Sequence, residues 1–217
     1  MFRILISLVL FLGFLPAAAG DNLVQKDLGF RYSLKDNGNG LVRYITPQFS
    51  LESFTSGDGK IYKKPVMMDA GQVSDEGQPD LPSSSTFIAI NPQKTYSVSV
   101  NIISYNVTEN IEILPKNSWN NNSEISFERG VSYSSQGHYP EKIAMISEPM
   151  TMRELTLLNL TVTPFRYYPQ EKRLEEFTEI EIELIEAGES NDIPFRPLKR
   201  SRAFEPIYES YVANYAS

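Results

Sequence analysis

The feature that most constrains the fold is a strict alternation late in the chain, where Glu179, Glu181 and Glu183 interleave with Ile180, Ile182 and Leu184. Successive side chains of a strand point to opposite faces, so this run has one charged side and one apolar side. Such a strand needs a sheet to join and an apolar layer to cover it. Tyr96, Val98, Val100 and Ile102 alternate with Ser97, Ser99 and Asn101 in the same way, and Leu158, Leu160 and Val162 repeat the pattern.

Turn chemistry punctuates these runs. Pro169-Gln170-Glu171-Lys172 lies between the 158–162 and 180–184 runs, which therefore read as one long hairpin. Residues 49–54 and 60–66 flank Ser56-Gly57-Asp58-Gly59, whose glycines permit the positive φ of a tight connection, and give a second hairpin. Further strands are expected at 86–90 and 143–147. Prolines 79, 82, 92, 115, 140, 149, 164 and 169 fall at or outside strand ends, where a missing N–H costs least. The expected fold is all-β, a β-sandwich-like domain over residues 20–197. Two stretches read as loops, the Asn-rich 116–124 and the polar 127–141; both are solvated connections or an interaction surface.

Both chain ends carry processing signals. Met1 to Arg3 is a short basic segment, residues 4–15 are apolar, and Ala17-Ala18-Ala19 supplies small residues for a signal peptidase. Residues 1–19 are read as a signal peptide cut after Ala19, because the apolar run is shorter than the roughly 20 residues of a membrane span. The product is expected to be secreted or periplasmic/extracellular, with no stable membrane insertion once the signal is gone. Residues 198–217 form a basic linker and an amphipathic tail. Prolines 194 and 197 keep the approach extended, and Lys199, Arg200 and Arg202 are candidate processing residues or a charge cluster capping the next helix. Phe204, Ile207, Tyr208, Tyr211, Val212 and Tyr215 share one face of a helix. That face needs a partner, either the preceding domain or something that follows.

Chemistry is sparse. Cysteine is absent, which removes disulfides, thiolate zinc sites and a cysteine nucleophile. The net charge of −7, with both signs interspersed, argues against nucleic acid and against an anionic membrane surface. His138 is the only histidine, and no G-x-S-x-G elbow accompanies it. Glu179, Glu181 and Glu183 share one strand face, which a solvated outer surface explains better than a glycosidase carboxylate pair. Asp36-Asn37-Gly38-Asn39-Gly40 is out of register with a calcium loop and reads as a turn. Asn106, Asn121 and Asn159 open glycosylation sequons that decide nothing. No residue pattern asks for a metal or a cofactor.

The landmarks gain meaning as a group. Gly77-Gln78-Pro79-Asp80-Leu81-Pro82 precedes Thr86-Phe87-Ile88-Ala89-Ile90; Tyr139-Pro140 leads into Ile146-Ser147-Glu148-Pro149; Val162-Thr163-Pro164-Phe165-Arg166-Tyr167 leads to the Glu/Ile strand; and Ser201-Arg202-Ala203-Phe204-Glu205-Pro206-Ile207-Tyr208 closes the series. This order resembles the N-terminal propeptide of the gingipain-type secreted cysteine peptidases, over about residues 28–215. The resemblance implies a β-sandwich that binds its cognate catalytic domain, assists its folding, and blocks the substrate cleft until proteolysis removes it. It also implies that the catalytic Cys and His belong to a following domain, so this chain is not itself an enzyme.

One departure stands out. The family's inhibitory loop offers a basic residue to the specificity pocket, and chain order places that loop at about residues 133–139, from Tyr133 to Tyr139, a stretch without Arg or Lys. Either the flanking Arg129 or Lys142 is presented, or Gln136 or His138 fills the pocket, or the partner enzyme is not specific for basic residues. Two other classes remain: a secreted cell-surface β-sandwich binding module stacking sugars on Trp119 and Tyr133, and a carboxylate hydrolase, which would need a cleft holding a strongly perturbed acid.

Overall fold

The computed structural model describes residues 29–56, 59–119, 125–190 and 201–215. In chain order the strands are β1 (Phe30–Leu34), β2 (Gly40–Ile45), β3 (Phe49–Thr55), β4 (Ile61–Met67), β5 (Gly71–Gln72), β6 (Pro82–Ile90), β7 (Lys94–Thr108), β8 (Ser118–Trp119), β9 (Ile125–Ser126), β10 (Ala144–Ile146), β11 (Met150–Met152), β12 (Leu155–Val162), β13 (Phe165–Tyr168) and β14 (Arg173–Glu189). One short α-helix, α1 (Glu205–Tyr211), follows.

Two five-stranded sheets carry the fold. In the first, β14 is central. One of its edges pairs with β7 from Leu174 opposite Thr108 to Glu189 opposite Lys94. The other edge takes β13 first and then β2, with Ile182 opposite Val42, and β2 carries β1. In the second sheet β12 is central, with β6 on one side and both β10 and β11 on the other. All these pairings are antiparallel.

The alternation predicts the core faces of β12 and β14 correctly, whereas on β7 Tyr96, Val98 and Ile102 are only half-buried and Val100 is exposed. Ile180, Ile182 and Leu184 on β14, with Val42 and Tyr44 on β2, pack against Ile88, Leu158, Leu160 and Val162 of the second sheet. Tyr44 also donates its hydroxyl across the layer to Ser84 Oγ at 3.0 Å. This bond spares a buried phenol the cost of being unpartnered, although burial still pushes its pKa up to about 12.

Three expectations need correction. The 158–162 and 180–184 runs are not one hairpin, since β12 and β14 lie in different sheets. The chain changes sheet at Thr163-Pro164: Thr163 N–H still donates to Ile143 of the second sheet, whereas the Pro164 carbonyl accepts from Phe177 of the first. Proline lacks the N–H that would extend the β12 ladder, so the crossing falls there. The true hairpin is β13–β14, closed by the predicted turn. The predicted helical tail is also shorter. Only residues 205–211 are α-helical, after a 3-10 turn over 202–204; Val212 is extended, and Ile207 and Tyr211 face solvent while Tyr208 and Val212 are buried. Contact with the second sheet, rather than helical period, selects which residues turn inward. Finally, the 127–141 stretch is not wholly a solvated loop, because Val131–Tyr133 form a 3-10 turn with Tyr133 buried.

The β3–β4 hairpin forms as expected. The Asp36–Gly40 turn is likewise a turn, and its Asn37 and Asn39 amides reach across to Glu183. Hydrogen bonds from Asn39, Lys35 and Asn37 hold the Glu183 carboxyl down to about 2. The carboxylate face of β14 is therefore a docking strip for the β1–β2 turn, with Glu179 and Glu181 held by Arg43.

Candidate functional site

A second apolar cluster lies under the β3–β4 hairpin and joins Met67, Leu81, Ile111, Ile113, Phe165, Tyr167 and Leu174 to Tyr133. It is the platform for the loop singled out by chain order. Approaching that loop, Gly130 donates its N–H to the Gly77 carbonyl at 2.7 Å. Gly77 sits at φ +77, and a Cβ on it would come within 3.0 Å of the Gly130 nitrogen, so the residue type is set by close backbone approach.

Two tyrosines then fix the ends of the loop. Tyr133 donates its hydroxyl to the Ile113 carbonyl at 2.8 Å, and its own carbonyl accepts from Gln170 Nε2 at 2.6 Å. Tyr139 exchanges both backbone hydrogen bonds with Tyr167, each at 2.8 Å. Tyr167 stacks edge-on against Tyr133 and donates to the Ile111 carbonyl at 3.2 Å. Burial raises the pKa of both Tyr133 and Tyr167, which favours the neutral, donating form of each phenol. Between the anchors, Ser134, Ser135, Gln136, Gly137 and His138 are all exposed. His138 leans on the Tyr168 ring, 5.4 Å between centroids.

Beside the platform sits an ionic hub absent from the sequence reading. The Glu112 carboxylate, about 15 % exposed, accepts from Lys60 at 2.6 Å, from Lys172 at 2.8 Å and from Arg129. Burial raises its pKa, but Lys172, Lys60 and Arg129 outweigh that and hold it down to about 2. The three cations come from the β3–β4 hairpin, the β13–β14 turn and the approach to the loop. Glu112 thus ties together three connections far apart in sequence, and no local spacing could have signalled it.

The candidate residues separate accordingly. Gln136 and His138 stand on the exposed span. Tyr133 is an anchor beneath it, which removes it as a sugar-stacking platform; Tyr139 is the second anchor. Arg129 is committed to Glu112 and lies over the Tyr62 and Tyr133 rings. Lys142, past the second anchor, is exposed and lines a groove of about 620 Å³ between β7 and β10. Trp119 stands on β8, with its side chain outside the described set. Ala19, Lys199 and Arg200 lie outside the described residues, and Arg202 opens the 3-10 turn before α1. Among the described residues, no group of three or more acidic, His or Cys side chains could hold a metal ion, and no helix is long and apolar enough to cross a membrane.

The profile of the Propeptide_C25 family matches residues 33–215, nearly the whole described domain. The chain belongs to the Propeptide_C25 family. It is a gingipain-type propeptide domain and not a catalytic one. The match runs through the basic linker and includes the tail. Curated relatives include Gingipain R2 of Porphyromonas gingivalis, 28 % identical over 159 residues, and Gingipain R1 of the same species, 25 % identical over 155 residues. Each alignment covers 70 % of this chain but only 21 % and 16 % of those relatives, so the chain spans about a fifth of their length. Among solved structures, the complex of P. gingivalis RgpB pro- and mature domains contains a chain with the same fold. It has a TM-score of 0.70 and 22 % identity, covering 87 % of this chain and 98 % of that one. A structure addressing zymogenic latency of gingipain K from P. gingivalis matches with a TM-score of 0.55 and 17 % identity, over 72 % and 93 % of the two chains.

Proposed function

We propose that this Propeptide_C25 domain is the latency module of a secreted gingipain-like cysteine endopeptidase, assisting the folding of its cognate catalytic domain and blocking the substrate cleft until proteolysis removes it. The observation that carries the reading is the five-residue span Ser134–His138, held at its two ends by the buried Tyr133 and the half-buried Tyr139 on a packed platform, within a domain that matches the propeptide family over residues 33–215. A span fixed at both ends loses little further conformational entropy on binding, which favours a blocking element over a flexible substrate. The solved pro- and mature-domain complex of RgpB concerns a protein of the same fold and supports the choice of partner.

Within this reading Gln136 or His138 meets the specificity pocket. Arg129 is engaged by Glu112 and two aromatic rings, and Lys142 lies beyond the second anchor, so neither is the presented residue. The partner would accept a polar residue there. Export with cleavage after Ala19 belongs to the same proposal, and mass spectrometry of the exported product tests it by the mature N-terminus.

The decisive experiment adds the purified chain, residues 20–217, to the catalytic domain of its precursor. Tight inhibition without rapid turnover is expected, through an interface removing roughly 800 Å² from each partner. Gln136→Ala and His138→Ala together should weaken it while leaving the fold intact. No change in peptidase activity at micromolar concentrations of folded domain would refute the proposal.

A further inference from the structure

β6 pairs with β12 along one edge from Ser84 to Ile90, whereas its other edge meets β5 only at Pro82 and Ser83. Farther along, that second edge is met by the tail at Phe87 and Ala89. Ala213 N–H donates to the Phe87 carbonyl at 2.8 Å, next to a parallel bridge between Phe87 and Val212. Asn214 continues the edge with its side chain: its amide donates to the Ala89 carbonyl and its oxygen accepts from the Ala89 N–H, both at 2.8 Å. The carboxamide imitates a peptide group of a neighbouring strand, a form of strand addition.

The tail also covers a face. Leu157, on the side of β12 opposite Leu158 and Leu160, is fully buried with Tyr208 and Val212, and Phe87, Ala89, Met152, Leu155, Phe204 and Tyr215 pack around them. Tyr208 donates to Glu154 at 3.2 Å and lies between the Phe204 and Tyr215 rings, while Arg153 sits 4.5 Å over Phe204. Every one of these contacts lies C-terminal to Lys199, Arg200 and Arg202.

We infer that residues 204–215 are a docked strap whose hold on the domain is independent of the linker before it. Cutting at Lys199, Arg200 or Arg202 leaves the strap seated, and whatever is joined to it remains held to the domain until the strap is lifted or the chain is cut again beyond it. The basic linker is therefore not sufficient as a release joint. Only the identity of what the strap holds rests on the proposed latency function.

The test replaces residues 196–200 of the full chain with the recognition sequence of a site-specific protease, cuts to completion, and follows the fragments by gel filtration and native mass spectrometry. The tail fragment should travel with the body at micromolar concentration. Asn214→Ala, which removes both hydrogen bonds to the Ala89 backbone, should speed its loss about tenfold, the equivalent of about 1.4 kcal/mol of lost hydrogen bonding. Separation of the tail from a body that keeps its strand circular dichroism would overturn the inference, and so would equal retention in the parent and in Asn214→Ala. Neither readout involves the peptidase, so a failure of latency leaves this result legible on its own.

Discussion

Glu112→Gln isolates the ionic hub beside the loop platform. The substitution keeps the side-chain shape but removes the charge that Lys60, Arg129 and Lys172 share, leaving three cations facing one neutral amide. The carboxyl is held at about 2 in the folded chain against an ordinary 4.5. Each tenfold change in proton affinity is worth about 1.36 kcal/mol, which sets a ceiling of about 3.4 kcal/mol. The cations are a third to a half exposed, and solvent screening brings the expected loss to about 1.5–2 kcal/mol. A depressed folded pKa means that this stability is fully present above 4.5 and disappears as pH falls through 2. Urea unfolding at pH 7 should therefore show Glu112→Gln less stable than the parent by that amount, and the gap should narrow between pH 4.5 and pH 2.5. Because Arg129 leads into the loop, protease nicking within 134–138 should accelerate in the variant at pH 7. A difference below about 0.5 kcal/mol at pH 7, or one that is constant down to pH 2.5, would refute the assignment of Glu112 as the tie between the three connections.

Other substitutions separate the layers. Ile182→Asp places a carboxylate at a position only 1 % exposed between the sheets, and should abolish the cooperative unfolding transition, a loss of roughly 4 kcal/mol or more. Glu181→Lys sets a cation against Arg43 in place of a 3.2 Å ion pair, and should cost about 0.5–1 kcal/mol by urea unfolding, less at high salt. Tyr44→Phe leaves the buried Ser84 hydroxyl without its 3.0 Å partner and should lower stability by about 1–2 kcal/mol with an unchanged far-UV spectrum. Tyr133→Phe removes the bond to Ile113 and should cost about 1 kcal/mol; faster hydrogen exchange at the Ser134 and Ser135 amides, which donate to Val131, is the local signature.

Alternation made β7, β12 and β14 readable because burial on one face imposes a period of two wherever a strand lies on a core. Nothing in that period says which strand is the neighbour, so the 158–162 and 180–184 runs looked like a hairpin although they face one another across the core. Pro164 carried the missing information, as a residue able to end one ladder while its carbonyl begins another. The tail shows the converse limit. Its apolar spacing matched a helix, yet Val212 and Asn214 serve a sheet edge whose vacancy depends on how short β5 is. At the loop, chain order located the right segment, but residue type misled: Tyr133 resembles a contact residue and is an anchor. Glu112 had no sequence signal because its three partners are gathered only by the finished fold.

The long central strand has a consequence for how the chain comes into being. β2, with its partner hairpin strand β1, and β7 both complete their pairing only on β14, where Val42 and Val100 flank Ile182 from opposite sides. A ribosome or a translocon that has delivered the first 170 or so residues has delivered a first sheet without its axis. That half of the molecule must wait, its edges unpaired, for a segment near the end, and such distant closure is slow. The timetable of synthesis thereby keeps the first sheet unfinished until nearly all of the domain has emerged.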